Sequence, residues 1–177
     1  MQAGWSKRWL AGLMVSGAIV MGLAAGATEV MGQAGGDTVL SAAEAQKLLP
    51  ASVFFRGQTA TTQLRNSGGV RFADGMFVLA AMVDTSGYST NLQEKYQTYF
   101  ITEIAIKIEG HDLPAGIYGV GFVDGDKFNV LDVGAHELFS VDSHTEADLK
   151  RPMPLKVVGA KDGFRLYGGR KYVTFAR

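Results

Sequence analysis

Three histidines, His111, His136 and His144, are the groups in this chain whose charge changes near neutral pH. Asp142 and His144 stand two residues apart. On an extended strand they would share a face, about 6.6–6.8 Å apart along the chain. With His136 and Glu137 nearby, a bent strand could gather the kind of imidazole and carboxylate set that suits zinc. No HExxH or comparable spacing accompanies them, and a straight strand holds His136 too far from His144 for one ion. The expectation is solvated loop histidines, with no metal and no cofactor.

A serine nucleophile is equally hard to place. Ser67, Ser86, Ser89, Ser140 and Ser143 all lack a surrounding GxSxG elbow. A Ser/His/Asp site would have to assemble in space, with Asp142 and His144 as its members. Asp124-Gly125-Asp126 offers two carboxylates without the further oxygen ligands of a calcium loop, so it reads as a hairpin turn. No phosphate loop or dinucleotide fingerprint occurs, and Gly119 and Gly121 fall inside a strand pattern. No catalytic residue is assigned.

Binding chemistry is better represented. The polar stretch Thr85 to Gln97 carries Tyr88, Asn91 and Tyr96, and Tyr99 follows. Tyrosine and asparagine combine flat contact area with hydrogen bonding, which suits a sugar, a peptide or another protein. Long loops on β scaffolds are common carriers of binding sites. Tyr88, Asn91, Tyr96 and Tyr99 are therefore the expected ligand-binding residues. The competing reading is that Tyr96 and Tyr99 begin the next strand while Tyr88 caps the core.

The elements that must position these groups are mostly strands. Ser41-Ala42-Ala43-Glu44 matches a capping box, followed by Ala45, Leu48 and Leu49 on one helical face. Pro50 ends that pattern, which gives one short helix of about two turns. Beyond it the period is two. Strands are expected at Val53 to Gln58, Thr61 to Asn66 and Val70 to Phe72, with Asn66-Ser67-Gly68-Gly69 as a turn. Asp74-Gly75 is a tight-turn pair. Met76 to Asp84 is apolar on both parities and reads as a strand buried on two faces. Tyr96 to Ile108 reads as one strand, with Phe100, Ile104, Ile106 and Ile108 inward and Glu103, Lys107 and Glu109 wet. Further strands bring the total to about nine or ten. No long amphipathic helix intervenes, so the fold class is mainly β: an antiparallel β-sandwich or β-barrel with one short N-terminal helix.

Composition limits the rest. Lys7 and Arg8, the charge-free run from Leu10 to Leu23, and Ala25-Gly26-Ala27 form a signal-peptide pattern over 1–27. Residues 28–39 read as a flexible linker and 40–177 as a single antiparallel β domain. Retention of the leader as a membrane anchor is the alternative, since the run from Trp9 to Thr28 approaches spanning length. The chain has no Cys, which excludes disulfides and a Cys-acylated lipoprotein route. Basic and acidic residues number 17 each, and two of the basic ones sit in the leader. The remainder is slightly acidic, which excludes a basic nucleic-acid face.

Leu113-Pro114-Ala115-Gly116-Ile117-Tyr118 is similar to an LPAGxY-type turn found in exported bacterial β domains whose activity is not established. That resemblance covers about a fifth of the chain beyond the leader and implies a secreted antiparallel sandwich or barrel. It brings no catalytic residue with it. Locally, Pro114 pre-sets φ, and Gly116 is expected to supply a positive φ.

The expected function is a secreted, non-enzymatic binding or envelope-associated module, periplasmic or extracellular. Its partner would be a small molecule, a glycan or an envelope protein. A secreted hydrolase with a spatially assembled Ser/His/Asp site is the alternative.

Overall fold

The computed structural model describes residues 36–177. The leader expected over 1–27, and the linker up to residue 35, lie outside the described residues. The fold is mainly antiparallel β, arranged in two sheets. Fourteen strands occur among the described residues. The larger sheet contains β1 (Thr38–Leu40), β3 (Gln58–Arg71), β4 (Phe77–Val83), β5 (Thr98–Thr102), β8 (Gly116–Val123), β9 (Lys127–Leu131) and β10 (Glu137–Asp142), in that spatial order. A further strand, β2 (Ser52–Phe55), pairs with β3 off this path. The smaller sheet runs β12 (Met153–Ala160), β13 (Gly163–Gly169), β14 (Lys171–Ala176), β6 (Ile106–Ile108) and β7 (His111–Leu113), with β11 (His144–Thr145) on β14. Two short helices, α1 (Ala42–Ala45) and α2 (Thr90–Lys95), complete the described residues.

The inner faces of both sheets meet in one core. Val70, Val78 and Phe100 of the larger sheet join Ile108, Leu166 and Phe175 of the smaller in a single buried cluster. Phe72 meets Phe164 edge to face at 5.9 Å, and Phe100 meets Phe175 at 6.3 Å. Aromatic pairs prefer this arrangement over flat stacking. The outer face of the larger sheet is covered too. Leu40, Ala45 and Leu49 cover Leu79 and Ala81 near α1. Phe55, Tyr88, Leu92 and Tyr96 cover Tyr99 and Leu131 further along. Two covered faces are why Met76 to Asp84 is apolar on both parities.

Several sequence expectations are corrected. Asn66-Ser67-Gly68-Gly69 is not a turn but the middle of β3. Gly69 pairs with Leu40 on one side and Leu79 on the other. The register shifts between Gln63 and Ser67, where Asn66 donates to Gln63 at 3.0 Å and Ser67 Oγ to the Leu64 carbonyl at 2.6 Å. Their turn chemistry thus serves a bulge inside a long strand. Tyr96 to Ile108 is two strands, not one. The chain leaves the larger sheet after Thr102 and enters the smaller at Ile106. Thr102 Oγ1 donates to the Ile104 carbonyl at 2.5 Å and fixes that corner. Glu103 and Lys107 are exposed as expected, but the wet back does not extend over β5, where α2 and β2 cover that side.

Val53 to Gln58 is also split. Arg56 and Gly57 both have positive φ, 46° and 78°, and form the tight turn between β2 and β3. Thr38 and Val39, placed at the end of the linker by composition, belong to β1 and pair with Arg71 and Val70. Helix α1 is a single turn, with the Glu44 carboxylate accepting from the Ser41 N–H at 2.8 Å and the Ser41 hydroxyl at 2.7 Å. Gly116 does not have a positive φ. Instead a Cβ there would stand 2.8 Å from Tyr118 Oη, and that hydroxyl donates to the Pro114 carbonyl at 2.9 Å. The glycine in the LPAGxY turn makes room for its own tyrosine.

Candidate functional site

The tyrosine loop comes together, but inside the protein. Tyr88, Tyr96 and Tyr99 belong to one buried cluster with Phe55, while Asn91 is exposed on α2. Tyr96 stacks on Phe55 with centroids 3.9 Å apart and an interplanar angle of 18°. Tyr88 meets Tyr96 edge to face at 5.6 Å, and its hydroxyl donates to the Phe55 carbonyl at 3.0 Å. The rings lie over β8 at Gly119, where a Cβ would stand 2.5 Å from Phe55 Cζ and 2.8 Å from Tyr96 Cδ2. Glycine is required there by close approach. Burial pushes the Tyr96 phenol well above its ordinary value, and its Oη has no hydrogen-bond partner among the described residues. The loop's aromatic side chains grip the outer face of the larger sheet, so their contact area is spent within the chain.

The histidines are held separately. His136 Nδ1 lies 3.0 Å from Asp132 Oδ2, in a turn where Asp132 also accepts from the Gly134 and His136 N–H groups. Those contacts, led by the His136 N–H, hold the Asp132 carboxyl below its usual range. His111 stacks on Phe139 at 5.3 Å. His144 Nε2 lies 3.2 Å from Glu109 Oε2, with its ring 5.2 Å from Tyr172. Asp142 instead contacts Lys127 at 2.5 Å, and that ammonium lowers its pKa.

Asp142 ends β10 in the larger sheet, whereas His144 begins β11 in the smaller. The chain changes sheet at Ser143, so the straight-strand geometry expected for the pair does not apply. Ser143 Oγ is buried without a partner among the described residues, and no bond joins it to His144. Among the described residues no group of three His, Cys, Asp or Glu is placed to hold a metal. Asp124-Gly125-Asp126 forms the β8–β9 turn, with Gly125 and Asp126 at positive φ and Asp126 3.3 Å from Lys171 Nζ.

Two recesses that the sequence did not reveal flank β12, the end strand of the smaller sheet. On the sheet's outer face lies a pocket of about 100 Å³, with Arg151, Lys156, Val158 and Tyr167 among its walls. A clasp of side chains borders it. Tyr167 donates to Glu146, Arg165 donates to Tyr167 at 3.3 Å, and the Arg165 guanidinium lies 4.4 Å from the Tyr172 ring centre. Burial, then the Glu146 carboxylate, raises the Tyr167 pKa.

Around the strand's other side lies a groove of about 370 Å³, where β12 approaches the bulge of β3. Leu40, Met153, Leu155 and Val157 line it with aliphatic surface, and Arg65 and Lys156 bring the charge. Met153 and Lys156 border both spaces. Among the described residues, Arg65, Arg151 and Lys156 have no ion-pair partner. The sequence carries only a faint sign of this site: a lysine between the inward Leu155 and Val157. Its opposite wall comes from the distant β1–α1 and β3 segments.

No protein-family model, curated protein or solved structure matches this chain.

Proposed function

We propose that this chain is an exported, non-enzymatic binding module with a β-sandwich fold, and that the recesses flanking β12 hold its small-molecule ligand. Two separate hydrogen-bonding paths, each with its own end strands, favour a sandwich over a closed barrel. The basic head, apolar run and Ala25-Gly26-Ala27 support export. The LPAGxY-type turn points the same way.

The observation that carries the binding assignment is the pair of recesses itself. The pocket and the groove share Met153 and Lys156, and three cations without ion-pair partners among the described residues stand on aliphatic walls. Unpaired charge beside apolar surface is the composition of ligand sites, where a few polar groups orient a mostly apolar contact. Native mass spectrometry of protein purified from its own host provides the test. A retained small molecule is expected in the wild type and lost in Met153→Trp, which fills the shared border. No ligand in the wild type, or one retained equally by the variant, refutes the assignment.

A further inference from the structure

We infer that the groove between β12 and the β3 bulge binds a fatty-acid-type anion, its acyl chain on the aliphatic walls and its carboxylate at Arg65 and Lys156. This rests on the binding reading above and specifies the ligand. Three features of the groove support it. Its volume, about 370 Å³, falls within the range of about 300–1,000 Å³ usual for small-molecule sites. Among the described residues no aromatic side chain lines it. A sugar or a base would find no ring to stack on there, whereas a flexible chain needs only aliphatic contact. Its charged lining residues are all cations, and neither has an ion-pair partner among the described residues.

Arginine suits a carboxylate because its planar fork donates two parallel hydrogen bonds. Lysine adds a second, mobile positive charge. Glu44, on α1 beside the groove-lining Ser41 and Ala42, accepts from Ser41 at 2.7 Å and 2.8 Å. Ser41 belongs to the groove lining, so its hydroxyl is already committed and does not compete for the ligand's head.

Calorimetric titration of the mature protein with dodecanoate and with dodecyltrimethylammonium, each below its micelle-forming concentration, separates chain from charge. The anion is expected to bind about tenfold more tightly than the cation, because two charge-assisted contacts replace two repulsions. In an Arg65→Gln/Lys156→Gln variant, checked for an unchanged unfolding midpoint, that preference is expected to fall to near parity. Equal affinity of the wild type for both amphiphiles refutes the anion assignment while leaving a binding recess intact. So does a preference that survives in the variant. Binding of neither amphiphile, with a host ligand still retained in mass spectrometry and lost in Met153→Trp, refutes only the acyl ligand. Binding of neither amphiphile with no retained ligand refutes both readings.

Discussion

Replacing Tyr96 by phenylalanine should stabilise this protein. Tyr96 is fully buried, its ring is stacked on Phe55, and its hydroxyl has no hydrogen-bond partner among the described residues. In the unfolded chain water satisfies that hydroxyl, so folding strips it without compensation. Protein mutational data put such a loss at about 1–3 kcal/mol. Tyr96→Phe removes the hydroxyl and keeps the ring, so a gain of about 1–2 kcal/mol is expected. For a domain of this size that raises Tm by about 2–6 °C. Urea unfolding followed by circular dichroism reads the change as a higher midpoint with an unchanged m value.

The alkaline limb provides a second reading of the same substitution. Burial raises the folded-state Tyr96 pKa above its ordinary value of 10.0. Below that ordinary value both states keep the proton and the contribution is constant. As pH rises above it, the unfolded state ionises first and the wild type loses stability. The variant should lose less in that window, though Tyr88 and Tyr99, also raised by burial, keep part of the slope. A Tyr96→Phe protein less stable than the wild type by about 1 kcal/mol or more would show that the hydroxyl is satisfied after all, and the reasoning would fail.

Gly119→Ala should destabilise by about 1–3 kcal/mol, measured by the same unfolding assay, because its new methyl collides with Phe55 and Tyr96. A neutral result would mean the aromatic layer can slide. Thr102→Val should cost about 1–2 kcal/mol, since it removes the buried hydroxyl that holds the Ile104 carbonyl at the corner between sheets. Unchanged stability there would assign the corner to packing alone.

Much of the β character was legible because half-buried strands alternate and tight turns carry Asp-Gly. Asp74-Gly75 and Asp124-Gly125-Asp126 turn where their chemistry says they should, with Gly75 and Gly125 at positive φ. The failures have physical causes. Alternation runs through Glu103 and Ile104 with unbroken parity, so the period reports an inward face and is silent about which sheet the residue joins. Asn66 to Gly69 has turn composition, yet β4 pairs with Ser67, Gly68 and Gly69, and β1 joins at Gly69 on the other side. Arg56-Gly57 was hidden because arginine is an unusual carrier of a positive φ.

The tyrosine loop was located by composition, and its burial was not. Tyr88 and Tyr96 have a polar tip and an apolar body, and sequence alone does not say which end a fold will use. Arg65 and Lys156 were invisible as a pair because the groove exists only once β3 and β12 have met.

The chain changes layers at Glu103–Ala105, at Pro114–Ala115 and again at Ser143, so each layer is stitched from segments on both sides of the other in sequence. Neither layer corresponds to a continuous fragment that could be excised and fold alone. Cutting after Ala147 would remove β12 to β14 and leave Ile106–Leu113 a lone hairpin beside bared apolar surface. Unfolding should therefore be all or none, with the two layers melting in one transition.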